Sequence, residues 1–480
     1  MLFGVPPTVK SFFRPVTRRL SKPLRQALAP MVLALLLAPH RRCLKTIAGM
    51  VLGHRRHVGT ISRRLRNRVW ETHAWYTALY EEVWSDTDNW ERQLAAKPKR
   101  RWLMVIDTTY HGTVSKCMEN LVFFARGKTR AKTGNHAFII GMLLTATGAR
   151  LPLPRKSYYT KTYCKNRRRK YRSLNDLAAA MIRDAKVPDD VEVTVVFDSA
   201  FDAKQVHRAA RQRGFCEVFP LDPNRNLSQN EDAQAKVVDQ KVVHWTRTWE
   251  REEFALLELQ VENEDHVFFR RRHRDNLRRK KTQRRYAVAA RCATVSKLGN
   301  CLIVASYKEN LKAELQAGQG ADWWAWHQGP IPYDRQDRPR PKRWQAKVLA
   351  CTDPTATARQ VIEWYELRWQ IEIFFRELKS RMQLGCYVLM SFQAVERYLD
   401  LLLMGFLLLE QQRLRDMQGV GPPSERGGES WVQARTTDRL RSLESLCDQW
   451  NAEEIQRRIR STRGRRRLLK ELRSQPLRVA

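Results

Sequence analysis

The sequence predicts a mixed α/β protein in which a strand-and-helix core is interrupted by a β-rich middle and flanked by helical, basic ends. Three observations predict it. Trp102–Ile106 (WLMVI) and Val191–Phe197 (VEVTVVF) are apolar runs of strand length that lead into Asp107 and Asp198. Tyr365–Lys379 (YELRWQIEIFFRELK) is a helix-length stretch with its apolar residues at helical spacing. Between these segments, Phe254–Val261, Tyr286–Val295 and Asn300–Tyr307 read as strands, the last two joined by a turn at residues 297–300.

Taken in order, residues 1–95 read as a helical basic domain, a candidate for binding DNA. In it, the stretch from Leu44 to Arg68 reads as two helices joined by a glycine-containing turn. As a helix-turn-helix, it would use Thr60–Arg68 for recognition and present Arg63, Arg64 and Arg66 to DNA. An ordinary helical hairpin with a basic outer face fits the same residues. Lys97–Arg101 (KPKRR) reads as a linker. The first part of the core, 96–225, then runs through strands at Asn135–Leu144 and Arg150–Leu153, turning at Thr147–Gly148. A helix follows at Leu174–Asp184, then the strand ending at Asp198, the helical stretch AKQVHRAARQR and a strand at Phe215–Pro220. Residues 226–345 form the β-rich insertion, 346–412 the second part of the core, and 413–480 a helical basic C-terminal region.

Composition narrows the partners. The 480 residues carry 88 Lys and Arg against 50 Asp and Glu, a formal net charge of +38, which suits a polyanion. Charge alone does not separate DNA from RNA. The basic runs are spread along the chain, as KNRRRKYR from Lys165, RRRHRDNLRRKKTQRR from Arg270 and RRIRSTRGRRRLLK from Arg457. A hydrophobic fraction of 43% is that of a folded protein. The 9 cysteines include no CxxC pair, which favours reduced thiols in a cytoplasm over a disulfide framework. His54 and His57 lack the cysteine pair of a zinc finger. Ala27–Ala38 is broken by Pro30 and leads into HRRC, unlike an export signal. Tyr398–Leu409 is too short to span a bilayer, carries Asp400 and reads as a buried helix, so no membrane partner is expected.

The chemistry concentrates on the helix-length stretch. At about 100° per residue, Tyr365, Arg368, Glu372, Arg376 and Lys379 fall within an arc of roughly 80°. Leu367, Ile371, Ile373, Phe374 and Leu378 point elsewhere, and so do Glu363, Glu366 and Glu377. A carboxylate flanked by cations and a phenol on one helix face suits a divalent metal beside a phosphate backbone. A salt-bridged helix surface can produce Arg, Glu and Lys at such spacing, but rarely with a Tyr on the same face.

The pattern Tyr, two residues, Arg, three residues, Glu, six residues, Lys resembles the signature of one branch of the DDE transposases, the hairpin-forming cut-and-paste insertion-sequence enzymes. That resemblance implies a ribonuclease-H-like mixed sheet with metal-binding aspartates at strand ends and a helical glutamate. It assigns these roles to Asp107, Asp198 and Glu372. Ile106-Asp107-Thr108-Thr109 and Asp198-Ser199-Ala200-Phe201 are similar to the family's motifs, with Ala200 where glycine is more usual. Asp202 competes with Asp198 for the second role, but it stands where an aspartate would cap the following helix.

The same resemblance implies two Mg²⁺ or Mn²⁺ ions held by the three carboxylates, with water and then a freed 3′-hydroxyl as nucleophiles. It implies Tyr365, Arg368, Arg376 and Lys379 on the DNA near the cut. Trp344 is the candidate for stacking on a flipped base, with Trp245, Trp249, Trp323, Trp324 and Trp326 as competitors. Expected partners are double-stranded DNA, as transposon ends and target, and a second copy of the chain in a synaptic homodimer. The expected location is the cytoplasm, on the nucleoid. Two other readings use the same residues: a ribonuclease-H-like endonuclease that does not transpose, and a non-catalytic nucleic-acid-binding protein. The three carboxylates weigh against the second.

Overall fold

The computed structural model describes residues 5–18, 20–37, 58–66, 70–94, 100–113, 117–125, 132–222, 224–228, 240–246, 254–260, 283–295, 298–308, 347–382, 384, 389–420 and 436–473. They gather into two compact units. A helical unit draws on residues 1–98, 108–173 and 372–480, and a sheet unit on 99–107 and 174–371. Strand β1 (Arg100–Thr113) passes through both.

The helical unit is built on the 29-residue helix Phe392–Val420. The helices Lys22–Leu37, Val58–Arg66, Thr72–Leu94 and Thr436–Ile459 pack on it. The apolar run of Lys22–Leu37 is thereby explained, because its residues from Leu28 to Leu37 are buried. The two helices approach closely at Gly405, where an added Cβ would stand 2.9 Å from Leu36 Cδ2. Tyr398–Leu409, which the sequence marks as a buried helix, lies in the interior with Asp400 at 0% exposure. Among the described residues no helix is long and apolar enough to cross a membrane.

Asp400 is tolerated because every oxygen finds a donor. Arg155 Nε reaches Oδ1 at 2.7 Å, Arg155 Nη2 reaches Oδ2 at 2.9 Å, and the Thr72 hydroxyl donates to Oδ2 at 2.7 Å. Glu396 joins this group through Arg155 and the Tyr159 hydroxyl. Burial alone would raise the Asp400 pKa, but Arg155 and His73 hold it below the usual carboxylate range.

In the same unit β2 (Val122–Ala125) pairs antiparallel with β3 (Lys132–Leu144). The short strands β4 (Arg150–Pro152) and β5 (Lys156–Ser157) also pair with β3. The β3–β4 hairpin turns where the sequence predicts, with Gly148 at φ 80° and its N–H on the Thr145 carbonyl. The C-terminal region read as helical and basic forms the helices Thr436–Ile459 and Thr462–Arg473. Of the expected recognition helix, Val58–Arg66 forms, with Arg63 and Arg66 exposed. The helix expected before it lies outside the described residues.

The sheet unit continues the strands in order. β1 runs parallel to β6 (Val191–Phe197), from Arg100↔Val191 to Ile106↔Phe197, and β6 runs parallel to β7 (Cys216–Pro220). The strands β8 (Asn226–Ser228), β9 (Gln240–Lys241), β10 (Ala255–Gln260), β11 (Gln283–Val295) and β12 (Gly299–Lys308) follow, then β13 (Lys347–Cys351). β13 pairs antiparallel with β7 and, on its other edge, with β12. β11 then joins β12 and carries β10 and β8, and β9 closes on β8. Strands β8 to β12 thus extend the sheet of β1, β6 and β7 through β13. Leu174–Asp184 packs with Lys204–Gln212, and Ala358–Leu367 lies against β6 and β7. A capping box, Thr357 with Gln360, starts that last helix.

Two local expectations are corrected. Arg100 and Arg101, read as linker, are the first residues of β1 and pair with Asp190 and Glu192 at its β6 end, at 2.9 and 2.6 Å. β1 also continues past Asp107 to Thr113, since Thr108, Thr109 and Tyr110 suit an extended backbone as well as the apolar run does.

Candidate active site

Parallel pairing sets the geometry. Ile106 and Phe197 are the last partners of the β1–β6 ladder, so the next residue on each chain is an aspartate, Asp107 beside Asp198. Both are half-buried, whereas Ile106 and Phe197 behind them are buried. Carboxylates are therefore presented at the carboxyl end of a packed parallel pair, where open α/β sheets hold ligands.

Each aspartate has a distinct hold. Asp198 Oδ1 accepts the Ser199 N–H at 2.7 Å, which fixes the single turn Ser199–Phe201 after β6. Arg368 Nη1 stands 4.0 Å from Asp107 Oδ2. Tyr365 lies between cations: Lys347 Nζ is 4.0 Å and Arg368 Cζ 5.7 Å from its ring centroid. Burial, with the Asp198 charge adding to it, pushes the Tyr365 phenol up to about 12 against the pull of Arg368. At neutral pH this hydroxyl keeps its proton and can donate a hydrogen bond.

The stripe read from a single uniform helix is realised only in part. The chain forms Ala358–Leu367, a tight junction at Arg368 and then Trp369–Arg376. Arg368 N–H bonds the Tyr365 carbonyl, three residues back. Glu372 lies in the first turn of the second segment and Arg376 ends it, both half-buried. Lys379 departs from the prediction. It sits in a wide turn, Glu377–Arg381, closed by Met382 N–H on the Glu377 carbonyl, and its Nζ is 5.9 Å from the Phe375 ring. A five-residue hydrogen-bond spacing turns less than 100° per residue, so the arc drifts after Arg376. Trp344 lies outside the described residues, as do Trp249, Trp323, Trp324 and Trp326, and Trp245 is buried.

Asp202 is not a helix cap. Ala203 occupies the cap position of Lys204–Gln212 without a side-chain bond. Asp202 instead accepts His207 Nε2 at 2.9 Å and pairs with Arg225, while His207 Nδ1 reaches Glu217 at 2.9 Å. The ring of His207 lies 4.9 Å from that of Phe219 and 5.9 Å from that of Phe197. An imidazole between two carboxylates donates from both nitrogens only when protonated. Burial alone would lower its pKa, but Asp202 and Glu217 outweigh burial and raise it.

This group ties the loop after Asp198 to β7 and to the approach to β8. A raised pKa means that its stabilisation is complete below the unfolded value near 6.5 and disappears as pH rises through the folded value. His207→Phe should therefore destabilise the protein by about 3 kcal/mol at pH 6, an order of magnitude for charged, buried hydrogen bonds. The gap in thermal midpoint between variant and wild type should close at alkaline pH. An equal gap at pH 6 and pH 10 would refute the protonated state.

Sequence reasoning missed this group and Lys347. Only strand pairing brings Lys347 to Tyr365, through β13 beside β7. The relevant sequence signal for the other group was the lone His207, the fourth residue of the helix Lys204–Gln212 and unremarkable by itself.

Among the described residues, no group of three or more His, Cys, Asp and Glu side chains is gathered for a metal ion. Asp107 and Asp198 stand as a pair. A family model described as a transposase DDE domain matches residues 166–408, just over half of the chain, a span that includes Asp198 and Glu372 and begins after Asp107. No curated protein matches the sequence.

Proposed function

The chain belongs to the transposase DDE domain family, polynucleotidyl transferases that act on DNA in transposition, and from that premise we propose a cut-and-paste insertion-sequence enzyme of the Tyr-Arg-Glu-Lys branch. The observation that carries the proposal is the pair Asp107 and Asp198 just beyond the last paired residues of β1 and β6, with Arg368 and Tyr365 against them. Glu372 is the third carboxylate of the proposal, four residues beyond Arg368 on the same helical run.

The donor set suits the metals that the family implies. Asp107 and Asp198 offer half-exposed carboxylate oxygens, the ligands that Mg²⁺ or Mn²⁺ takes. Two such ions, when bound, activate the attacking oxygen and stabilise the leaving one. The chain's own residues do the rest. Arg368 and Lys347 supply positive charge for a phosphate, and Tyr365, still protonated, donates a hydrogen bond to it. A phenol with a pKa of about 12 is a poor nucleophile at neutral pH, which favours direct attack over a tyrosyl intermediate.

Water attacks a phosphodiester at the element's end and frees a 3′-hydroxyl. That hydroxyl then attacks a second phosphodiester, on the opposite strand to close a hairpin or on target DNA to join it, and each attack expels one 3′-oxygen. Two copies of the chain bring two ends together in a homodimer.

The test is cleavage of DNA bearing the gene's own flanking sequence, by wild type and by Glu372→Gln, with Mg²⁺, Mn²⁺ or EDTA. Metal-dependent cuts at the element ends that vanish in the variant are expected, with hairpin ends on a denaturing gel. Open ends would remove the hairpin branch. Equal cleavage by Glu372→Gln would remove Glu372 from the active site.

A further inference from the structure

The segment Lys161–Arg172 (KTYCKNRRRKYR) holds seven Lys and Arg and no Asp or Glu. It forms the short helix Lys161–Asn166, capped by the Thr160 hydroxyl, and then a tight reversal. Arg168 sits in that reversal at φ +52°, a backbone region where glycine is relaxed and arginine is not. Strained backbone positions of this kind cluster at functional sites. All seven cationic side chains are exposed. Among the described residues only Arg167 has a carboxylate partner, Glu119 at 2.5 Å.

Aromatic rings lie among these charges. Tyr171 and Tyr110 are 36% and 37% exposed, unusual for rings of their size. The half-buried Tyr158 touches Tyr171 edge to face at 6.2 Å, with their hydroxyl oxygens 3.3 Å apart, and Tyr110 is close enough for its charge to act on Tyr158. Lys161 Nζ lies 5.4 Å from the Tyr171 centroid. Burial and the bond to Tyr171 push the Tyr158 phenol up to about 12, so its hydroxyl adds no negative charge to the patch.

We propose that Tyr110, Tyr158 and Tyr171, with Lys161 over the Tyr171 ring and Arg168 and Arg172 exposed on the same segment, form a docking surface for an unpaired stretch of DNA. Cations alone would serve a duplex, whose bases are stacked on one another and offer no free face. Exposed rings within a field of cations serve a single strand, because a splayed base stacks on the ring while its phosphate meets the charge. The inference deepens the proposed function, since cutting and joining DNA ends creates unpaired strands, and it rests on that reading for its choice of DNA.

The test is binding of the full chain, in EDTA so that no cleavage occurs, to a fluorescent 20-nucleotide oligothymidine and to a duplex of equal length. Tyr171→Ala should weaken single-strand binding by about 5- to 150-fold, the range for loss of one stacked base. Duplex binding should change less than twofold, and Tyr171→Phe should restore the single-strand affinity. The pair Arg168→Ala and Arg172→Ala should reduce the salt slope for the single strand by about 1.4, for two lost phosphate contacts.

Equal weakening of both forms by Tyr171→Ala, or no weakening, would overturn the proposal. So would displacement of the oligonucleotide by polyglutamate equally from wild type and Tyr171→Ala, which would indicate an acidic protein partner. Because no metal is present, these results do not depend on the carboxylates. Failure of the cleavage assay leaves this test readable, and failure here leaves the cleavage assay untouched.

Discussion

Asp198→Asn should lower metal-dependent strand cleavage by at least about a hundred- to a thousandfold. A metal ion acting as a Lewis acid contributes several kcal/mol to a phosphoryl-transfer barrier, and each ~1.4 kcal/mol is a factor of ten in rate. Asparagine keeps the shape and one carbonyl oxygen but removes the charge that makes the site hospitable to a divalent cation. Its side-chain oxygen can still accept the Ser199 N–H, so the turn Ser199–Phe201 should persist. The loss should thus appear in the rate at saturating DNA, with DNA affinity in EDTA and the thermal midpoint near wild type. Asp107→Asn should behave alike, except that Arg368, 4.0 Å away, loses its carboxylate. Cleavage by Asp198→Asn within tenfold of wild type would exclude Asp198 as a metal ligand and turn attention to Asp202, which the structure commits to His207 and Arg225.

Asp400→Leu should be the most destabilising single change in the helical unit, by roughly 3–5 kcal/mol, because it strands Arg155 in the interior. Arg155 is 8% exposed by side chain and, when Asp400 is removed, keeps one carboxylate, Glu396 at 3.2 Å, and the Ser157 hydroxyl. Replacing both partners, Asp400→Leu with Arg155→Met, should recover much of the loss, since a buried pair exchanged for apolar side chains of similar size is often neutral or better. A thermal-denaturation double-mutant cycle over wild type, the two single variants and the double decides this. Additive losses would mean that the two residues act independently. The contribution also has an acid limit. The Asp400 pKa is depressed on folding, so its stabilisation is present above the unfolded value near 3.9 and is lost as pH falls through the folded one.

The parts of the molecule governed by short-range periodicity were legible in its sequence. Val191–Phe197 and Leu174–Asp184 form as their patterns predict, and the β3–β4 turn falls on Gly148. What escaped depends on partners distant along the chain. β13 is a five-residue strand whose neighbours, β7 and β12, are far away in sequence, and no window around Lys347–Cys351 contains them. Lys347 was invisible for the same reason. The helix carrying Glu372 looked uniform because periodicity assumes constant turning, whereas hydrogen bonds tighten it at Arg368 and widen it after Arg376. Asp202 followed a sound local rule for helix caps that a buried histidine overrode.

The shared strand β1 limits how the protein can be divided. A piece of the gene cut to the matched region, 166–408, would encode Asp198 and Glu372 but would lack β1. β6 would then expose a row of unpaired N–H and C=O groups along VEVTVVF, a sequence rich in valine, free of proline and bearing one charge. Such an edge recruits the same edge of another copy, so a gene fragment that has lost its upstream third encodes a sticky remnant more readily than a minimal enzyme.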